Sequence, residues 1–304
     1  MTLDVLLPTD SAVRRLGELR GLRCHLYEGQ GPVPEETRAC TVWVPPFLTS
    51  LGVAEVIAAL PRLEVIQLVS AGAERFVEHL PDGVVLCTAR GAHSGATAEW
   101  IMAALLASIR QFPRFFAAQA RGRWVKALND ELAGRRVLVV GAGDIATALG
   151  RRLDGFDVDV TYVARSARDG VRAVGDLPDL LPDHEFVVLL VPTTPETRGL
   201  VDAKFLAAMP YGALLINAAR GPVVDTDALI AELTNHRLHA ALDVTDPEPL
   251  PEGHPLWSAP NLLLTPHIAG TVPRASERAM AVVRAQLERL LAGQPLQNVV
   301  SNGY

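Results

Sequence analysis

Short runs of apolar residues alternate with longer amphipathic stretches through nearly the whole chain of 304 residues. The short runs are rich in Val, Ile and Leu and show little polar alternation, which is typical of strands covered on both faces. They predict strands at residues 3–7, 22–27, 40–44, 64–69, 84–87, 136–140, 158–163, 186–191, 212–217, 238–243 and 261–265. The amphipathic stretches predict helices, among them residues 51–60, 95–110, 144–153, 225–233 and 273–292.

This alternation of strands and helices predicts an α/β protein with parallel sheets and right-handed crossovers. Domains commonly hold about 100–200 residues, so the length indicates two of them. We expect the chain to pass from the first domain to the second in the loop at residues 89–94, and to return to the first domain along the last long helix. We therefore expect a discontinuous first domain of residues 1–94 and 285–304, and a second domain of residues 95–284.

The composition narrows the class of protein. Hydrophobic residues make up 49% of the chain and charged residues 20%, which allows a large core and excludes a disordered or fibrous chain. The net charge of −6 argues against nucleic acid or an anionic membrane as a partner. Three cysteines without a close-spaced pair argue against a disulfide framework and a structural metal site. Without an apolar run of ~18 residues or a signal peptide, we expect a soluble, cytoplasmic protein.

A glycine-rich turn follows the predicted strand at residues 136–140. It reads Gly141-Ala-Gly-Asp-Ile-Ala146 and leads into a predicted helix. In this strand–turn–helix context, the pattern Gly-x-Gly-x-x-Ala predicts a dinucleotide-binding loop, with the pyrophosphate at the helix N-terminus. Gly141 permits the tight turn, and Gly143 lets the backbone approach the phosphates. An ordinary strand–helix turn is the alternative.

The next predicted strand, residues 158–163, bears on the choice of cofactor. An acid at its end would bind the 2′-hydroxyl of NAD, whereas an arginine accommodates the 2′-phosphate of NADP. The strand leads into Ala164, Arg165 and Ser166, with Arg168 close enough to add long-range attraction. This predicts a preference for NADP(H), with NAD(H) as the other possible cofactor. The alternative is a solvated basic loop.

Polar residues follow three further predicted strands. Arg220 follows one strand, Asp243 ends the next with Glu248 in the proline-rich loop beyond it, and His267 follows the third. The carboxyl ends of parallel strands form the edge where open α/β sheets bind ligands. Taken singly, each residue has an ordinary structural explanation, such as a solvated acid or a core histidine.

Together these segments resemble the D-isomer-specific 2-hydroxyacid dehydrogenase family over nearly the whole length. Residues 68–73 resemble its substrate-carboxylate loop, residues 190–197 its cofactor-side loop, and residues 298–304 its usual ending. The ordered set is more specific than any one motif. The resemblance implies two Rossmann-like domains, the first substrate-binding and the second dinucleotide-binding, with the active site in the cleft between them.

The resemblance also implies roles for single residues. Arg220 would bind the carboxylate and carbonyl oxygens of a 2-oxo acid, and His267 would donate the proton. Glu248 would hydrogen-bond the far ring nitrogen of His267, and Asp243 would accept from the nicotinamide carboxamide. The implied substrate-binding residues are Ser70, Ala71, Gly72, Arg220 and His267. The implied cofactor-binding residues are Gly141, Gly143, Asp144, Ile145, Arg165, Ser166, Val191, Pro192, Thr197, Ala218, Ala219, Asp243, His267 and Gly270.

The expected function is hydride transfer between NADP(H) and a small 2-oxo acid or D-2-hydroxy acid, as in glyoxylate/hydroxypyruvate reductases. The apolar segment at residues 100–124 predicts a homodimer through the cofactor domain. A phosphoglycerate dehydrogenase-type activity with NAD, or a dinucleotide-sensing binding protein of the same fold, are the alternatives. The sequence leaves two interpretations of residues 43–47 open: they select the substrate side chain, or they are a strand end turned by prolines.

Overall fold

The computed structural model describes residues 2–47 and 52–300. The chain forms two compact units: one combines the chain up to His93 with the part from Val272 onward, and the other runs from Ser94 to Thr271. The predicted division put the second crossing after residue 284, inside the last helix. That helix instead belongs to the first unit as a whole, because its face with Ala279, Val283 and Leu287 is buried in the core of that unit.

The strands in chain order are β1 Leu3–Leu7, β2 Leu22–Leu26, β3 Val42–Trp43, β4 Val65–Gln67, β5 Val85–Cys87, β6 Arg136–Val140, β7 Asp159–Ala164, β8 Val171–Ala173, β9 Phe186–Leu189, β10 Leu214–Asn217, β11 His239–Leu242 and β12 Leu262–Leu264. The α-helices are α1 Asp10–Leu16, α2 Val53–Ala59, α3 Glu74–Val77, α4 Ser94–Ile109, α5 Phe112–Ala120, α6 Asp144–Leu153, α7 Leu177–Leu180, α8 Ala203–Ala208, α9 Thr226–Thr234 and α10 Pro273–Leu291. Short 3₁₀ helices occupy Glu35–Ala39, Asp154–Phe156, Val174–Asp176, Leu181–Asp183, Gly221–Val223 and Pro255–Ser258.

Each unit is built on one parallel sheet, which confirms the predicted α/β class. The sheet of the first unit has the order β2-β1-β3-β4-β5, and that of the second unit has the order β12-β11-β10-β9-β6-β7-β8. Successive side chains of β6 enter different clusters, with Leu138 and Val140 on one face of the sheet and Val137 and Val139 on the other. Burial on both faces explains why these strands read as continuous apolar runs.

The second sheet changes direction between β6 and β9. From β6 the chain proceeds outward through β7 and β8, then returns to β9 and proceeds the other way to β12. Such a topological switch point leaves a crevice at the carboxyl ends of the strands, where ligands bind. The glycine-rich turn, Arg220, Asp243 and His267 all follow strands of this sheet.

One local feature differs from the sequence prediction. β8 was not predicted, because it is three residues long and carries the exposed Arg172. The helix predicted at residues 95–110 is α4, which ends at Ile109; in the apolar segment at residues 100–124, Gln111 then adopts a positive φ of 54° and α5 begins at Phe112. Among residues 2–47 and 52–300, the helices lack the length and apolar character needed to cross a bilayer.

Candidate active site

The glycine-rich turn connects β6 to α6 at the switch point. Gly141 has a φ of 116°, and a Cβ atom at this position would lie 2.6 Å from the carbonyl group of Leu190, so the turn requires glycine. A Cβ atom at Gly143 would meet nothing within 4 Å, which leaves the approach to the helix open. Because α6 begins at the next residue, its unpaired N–H groups can receive the phosphates of a dinucleotide.

The loop after β7 carries the residues predicted to read the ribose. Arg165 and Ser166 are exposed, while the guanidinium of Arg168 donates to the carbonyl of Ala142 at 3.1 Å. Two backbone hydrogen bonds with Val171, of 3.0 and 2.9 Å, close a tight turn after Arg168. Arg168 is therefore tied to the glycine-rich turn, a contact that the sequence analysis did not anticipate.

An acid from a different loop lies near Arg165. The hydroxyl of Thr194 donates to a carboxylate oxygen of Glu196 at 2.7 Å. This hydrogen bond, and to a smaller extent the charge of Arg165, holds the pKa of Glu196 below its usual value. The end of β7 lacks an acid of its own, but the loop after β9 supplies one in its neighbourhood. Sequence reasoning missed Glu196 because only the fold brings the two loops together.

Arg220 follows β10 and is held by the residue that ends this strand. Asn217 is buried, and its side chain donates to the carbonyl of Arg220 at 2.9 Å and accepts from the N–H of Ala219 at 3.0 Å. The half-buried guanidinium of Arg220 donates to the carbonyl of Ala219 at 2.7 Å. Asn217 thus fixes the turn that presents Arg220, a role signalled in the sequence only by a polar residue at the end of an apolar run.

The residue after Arg220 contacts the proline-rich loop directly. A Cβ atom on Gly221 would lie 1.9 Å from the carbonyl oxygen of Thr245, so a larger residue would displace the backbone. The hydroxyl of Thr226 also donates to the carbonyl of Asp246 at 2.9 Å. These contacts fix the start of the loop in which Glu248 lies.

Asp243 follows β11 and organises the loop that carries His267. The carboxylate is buried; one oxygen accepts from the hydroxyl of Thr265 at 2.6 Å and from the N–H of Ile268 at 2.8 Å, and the other accepts from the N–H of Ala269 at 2.9 Å. His267 has a positive φ of 54°, a conformation that non-glycine residues seldom adopt. The structure thus gives Asp243 contacts within the protein that the sequence did not predict.

The imidazole of His267 forms a close pair with Glu248. Its Nδ1 atom lies 2.6 Å from an Oε1 atom of the carboxylate. Since an ionised carboxylate only accepts hydrogen bonds, Nδ1 carries the hydrogen of this bond. The other ring nitrogen, Nε2, is not part of this hydrogen bond and can exchange a proton with a substrate. Both side chains keep access to solvent, with 32% of the His267 side chain and 41% of the Glu248 side chain exposed.

The surroundings of Glu248 favour its charged form. Partial burial acts to raise the pKa of Glu248, but the hydrogen bond and charge of His267 act to lower it. A backbone hydrogen bond and the nearby charge of Arg220 act in the same direction, and the net result is a pKa below the usual glutamate value. The Glu248 carboxylate, the His267 ring and the Arg220 charge are therefore neighbours at this edge of the sheet.

The other predicted site residues lie as follows. Val191 packs against the core, the carbonyl of Pro192 accepts from the hydroxyl of Thr197 at 2.6 Å, and Ile145 and Ala218 pack against the opposite cluster. Asp144 is the first residue of α6, and Gly270 is half-buried after the His267 loop. Ser70, Ala71 and Gly72 belong to the first unit, where the hydroxyl of Ser70 donates to the carbonyl of Gly72 at 2.9 Å. Of the predicted ending, residues 301–304 lie outside the described part of the chain.

Comparison with known proteins identifies the family. Residues 102–269, more than half of the chain, match the family described as "D-isomer specific 2-hydroxyacid dehydrogenase, NAD binding domain". The chain belongs to the D-isomer specific 2-hydroxyacid dehydrogenase family. It is therefore an oxidoreductase that acts on CH–OH groups with a nicotinamide dinucleotide, as the resemblance implied.

The relatives within this family are named for activities on different substrates. A glyoxylate reductase from Thermofilum pendens is 36% identical over 256 residues, which cover 79% of this chain and 76% of that protein. A D-3-phosphoglycerate dehydrogenase from Methanocaldococcus jannaschii is 31% identical over 258 residues, or 81% of this chain and 49% of the relative, so the chain spans about half the length of that protein. A solved NADPH-dependent glyoxylate/hydroxypyruvate reductase from Sinorhizobium meliloti, in complex with NADP and sulfate, has a TM-score of 0.84 and 26% identity, covering 99% of this chain and 98% of that one.

Proposed function

We propose that this protein is an NADPH-dependent reductase of small 2-oxo acids, of the glyoxylate/hydroxypyruvate type. The observation that carries the proposal is the 2.6 Å pair of Glu248 and His267 beside the charge of Arg220. A proton donor, its counter-charge and a cation for a carboxylate are the groups that such a reduction needs. The named activities of the relatives from T. pendens and S. meliloti support this substrate class.

The proposed mechanism assigns one task to each side chain. When held at the glycine-rich turn, NADPH would supply the hydride for C2 of the substrate. His267 gives the hydrogen on Nε2 to the carbonyl oxygen as it becomes an alkoxide, and the product is a 2-hydroxy acid. Glu248 accepts from Nδ1 throughout, which fixes the ring orientation and stabilises the imidazolium before the transfer. The planar guanidinium of Arg220 binds the substrate carboxylate.

The proposal also assigns the binding residues. Gly141 and Gly143 would hold the pyrophosphate, and Arg165 with Ser166 would contact the 2′-phosphate, with NAD(H) as the weaker cofactor. The remaining cofactor-binding residues would be Asp144, Ile145, Val191, Pro192, Thr197, Ala218, Ala219, Asp243, His267 and Gly270. The first unit would be the substrate-binding domain, in which Ser70, Ala71 and Gly72 contact the carboxylate, and the second unit the dinucleotide-binding domain.

A homodimer through the dinucleotide-binding unit is part of the same proposal. The side chains around α5 are unusually exposed for their apolar character: Phe116 is 63%, Trp124 91% and Leu128 95% exposed. The described residues of α5 include none that is buried. An apolar surface of this kind is typical of a protein interface, and a second copy of the chain could cover it through a two-fold contact.

A cytoplasmic location completes the proposal. Cys24, Cys40 and Cys87 are all free thiols, as is usual for proteins in a reducing compartment. Phosphoglycerate dehydrogenase activity with NAD has less support, because identity to the glyoxylate reductase is higher and because Ala164, at the end of β7, stands where an NAD-binding acid would be expected.

The decisive experiment is a panel of 2-oxo acids assayed with NADPH and with NADH. We expect turnover of glyoxylate, hydroxypyruvate or a slightly larger 2-oxo acid, and a loss of about 10²–10⁴ in kcat for His267→Ala. NADPH affinity, measured by fluorescence, should fall far less than kcat, because His267 is one of many residues proposed to contact the cofactor. His254→Ala, in the neighbouring proline-rich loop, is the control. A wild-type protein inactive on the whole panel, or a His267→Ala variant with full activity, would contradict the proposal.

A further inference from the structure

Of the apolar stretch at residues 43–47, only the end leaves the core of the first unit. Trp43 and Val44 are fully buried, so they serve packing. Phe47 keeps 38% of its surface exposed and lies flat against the ring of His93, with the ring centroids 5.2 Å apart and the planes 7° from parallel. The strand end is thus structural, and Phe47 is the residue with a further role to explain.

His93 connects Phe47 to the loop that holds Ser70, Ala71 and Gly72. Its Nε2 atom lies 2.8 Å from the carbonyl oxygen of Val69, the residue immediately before that loop. Because a carbonyl oxygen only accepts, Nε2 carries the hydrogen of this bond. Nε2 carries a hydrogen in the imidazolium form and in one neutral tautomer, so the bond is compatible with both charge states of the ring.

Fixing the carbonyl of Val69 fixes the next N–H group as well. A peptide unit is planar and trans, so the N–H of Ser70 points away from the carbonyl of Val69. The carbonyl of Ser70 accepts from the N–H of Ala89 at 2.8 Å, which fixes the N–H of Ala71 in the same manner. The hydroxyl of Ser70 then holds the carbonyl of Gly72 at 2.9 Å. The carbonyl groups of Val69, Ser70 and Gly72 therefore have defined directions, and His93 holds the first of them.

His93 is itself held from more than one direction. The guanidinium Nε of Arg278, on α10, donates to the carbonyl of Ala92 at 2.7 Å and so fixes the peptide unit before His93. The flat contact with Phe47 restricts the rotation of the imidazole about its own side-chain bonds. Backbone and ring are thus both fixed in the position that the hydrogen bond to Val69 requires.

We propose that His93 is a positioning residue for the substrate-carboxylate loop, and that Phe47 holds its ring in place. This rests on the proposed function, since the ligand of the loop is the carboxylate of the 2-oxo acid. Without His93 the peptide unit between Val69 and Ser70 can rotate, and backbone N–H groups that rotate bind an anion less well. The step that suffers is substrate binding, whereas the proton transfer from His267 is unaffected.

The test compares steady-state kinetics of His93→Ala, His93→Gln and Phe47→Ala with the wild type. One hydrogen bond contributes about a factor of 3–10, so KM for the best 2-oxo acid should rise by about that factor in His93→Ala while kcat stays within about twofold. NADPH affinity should not change. His93→Gln keeps a donor and should recover part of the loss, and Phe47→Ala should raise KM by a smaller factor. A KM unchanged in His93→Ala would overturn the proposal.

Amide hydrogen exchange gives a second readout that does not depend on activity. In the protein without substrate, exchange across residues 69–73 should be faster in His93→Ala than in the wild type. His25→Ala is the matched control, because His25 lies on β2 at the opposite edge of the same sheet, where its ring pairs with Asp4 at 3.0 Å. Equal acceleration in both variants would mean general destabilisation and would overturn the proposal. If the wild type reduces no 2-oxo acid, the proposed function is wrong. The exchange experiment still tests the positioning role in that case: faster exchange confined to His93→Ala supports it, and unchanged exchange refutes it.

Discussion

The backbone N–H of His267 donates to the carbonyl of Asp243 at 2.7 Å, and the carboxylate of the same aspartate accepts from the two residues that follow His267. A single buried side chain and its own carbonyl therefore define the loop in which the histidine adopts a positive φ. The position of the proposed proton donor therefore depends on Asp243 through the backbone of the loop.

Asp243→Asn tests this dependence. The side-chain amide of asparagine would place an N–H group where a carboxylate oxygen now accepts hydrogen bonds from the His267 loop. At least one buried donor would then lack an acceptor, which costs about 1–3 kcal/mol of stability. We expect the free energy of unfolding in urea to fall by about 1–3 kcal/mol and kcat to fall with it. Asp246→Asn, at an exposed aspartate three residues on, should leave both unchanged. Wild-type stability in Asp243→Asn would show that these hydrogen bonds do not organise the loop.

Glu248→Gln should move the pH dependence of reduction. Reduction requires the protonated ring of His267, so its rate falls as the pH rises and the ring loses its proton. The Glu248 carboxylate stabilises the charged ring, and its lowered pKa keeps it ionised down to a pH below the usual glutamate value of ~4.3. Without that charge the alkaline limit of reduction should move to lower pH. Glu252→Gln, in the same loop, is the control and should keep the wild-type pH profile. A wild-type pH profile in Glu248→Gln would show that Glu248 does not act on His267.

Arg165→Ala should change the choice of cofactor. A charge-assisted hydrogen bond to the 2′-phosphate is worth roughly 1.5–3 kcal/mol, so we expect a wild-type preference of about tenfold or more for NADPH in kcat/KM. The variant should lose most of this preference through weaker use of NADPH, with NADH little affected. Arg172→Ala, which removes a guanidinium paired with Asp176 at 2.8 Å, is the control. Equal use of the two cofactors by the wild type would refute the assignment.

Gly221→Ala should disturb the proline-rich loop. The added Cβ atom would lie within 2.1 Å of the carbonyl oxygen and carbon of Thr245, so the backbone before Glu248 must move. Overpacking of this kind commonly costs about 1–3 kcal/mol, and the displaced carboxylate should lower kcat as well. Gly175→Ala is the matched control, since a Cβ atom there meets nothing within 4 Å. Thermal unfolding and kcat of the two variants decide whether the close contact matters.

Trp124→Glu should weaken the proposed dimer. Trp124 is 91% exposed in the single chain, and a charge in an apolar interface costs several kcal/mol when it is desolvated. We expect a dimeric mass for the wild type by light scattering at micromolar concentration and a shift toward the monomer for the variant. Tyr211→Glu changes another aromatic residue, which is 80% exposed, and should leave the mass unchanged. A monomeric wild type would rule out the dimer.

The sequence by itself determined the fold class, most of the strands and the order of the candidate site residues. Strands buried on both faces must be continuously apolar, so β1 and β6 have the predicted bounds and the other predicted strands differ by a few residues at most. Local geometry also leaves a local signal, as at Gly141, where only glycine fits the turn. The bounds of α6 were predicted correctly for the same reason, since the glycine-rich turn marks where the helix begins.

Only the tertiary structure decided how side chains from separate segments meet. The contacts of Asp243 with the His267 loop, of Arg168 with Ala142 and of Gly221 with Thr245 each join residues more than twenty positions apart. Such contacts depend on strand register, loop conformation and the twist of the sheet, which no local pattern encodes. A periodicity of two or 3.6 residues reports which face of an element is buried, but the partner across that face is set by the packing of the whole unit.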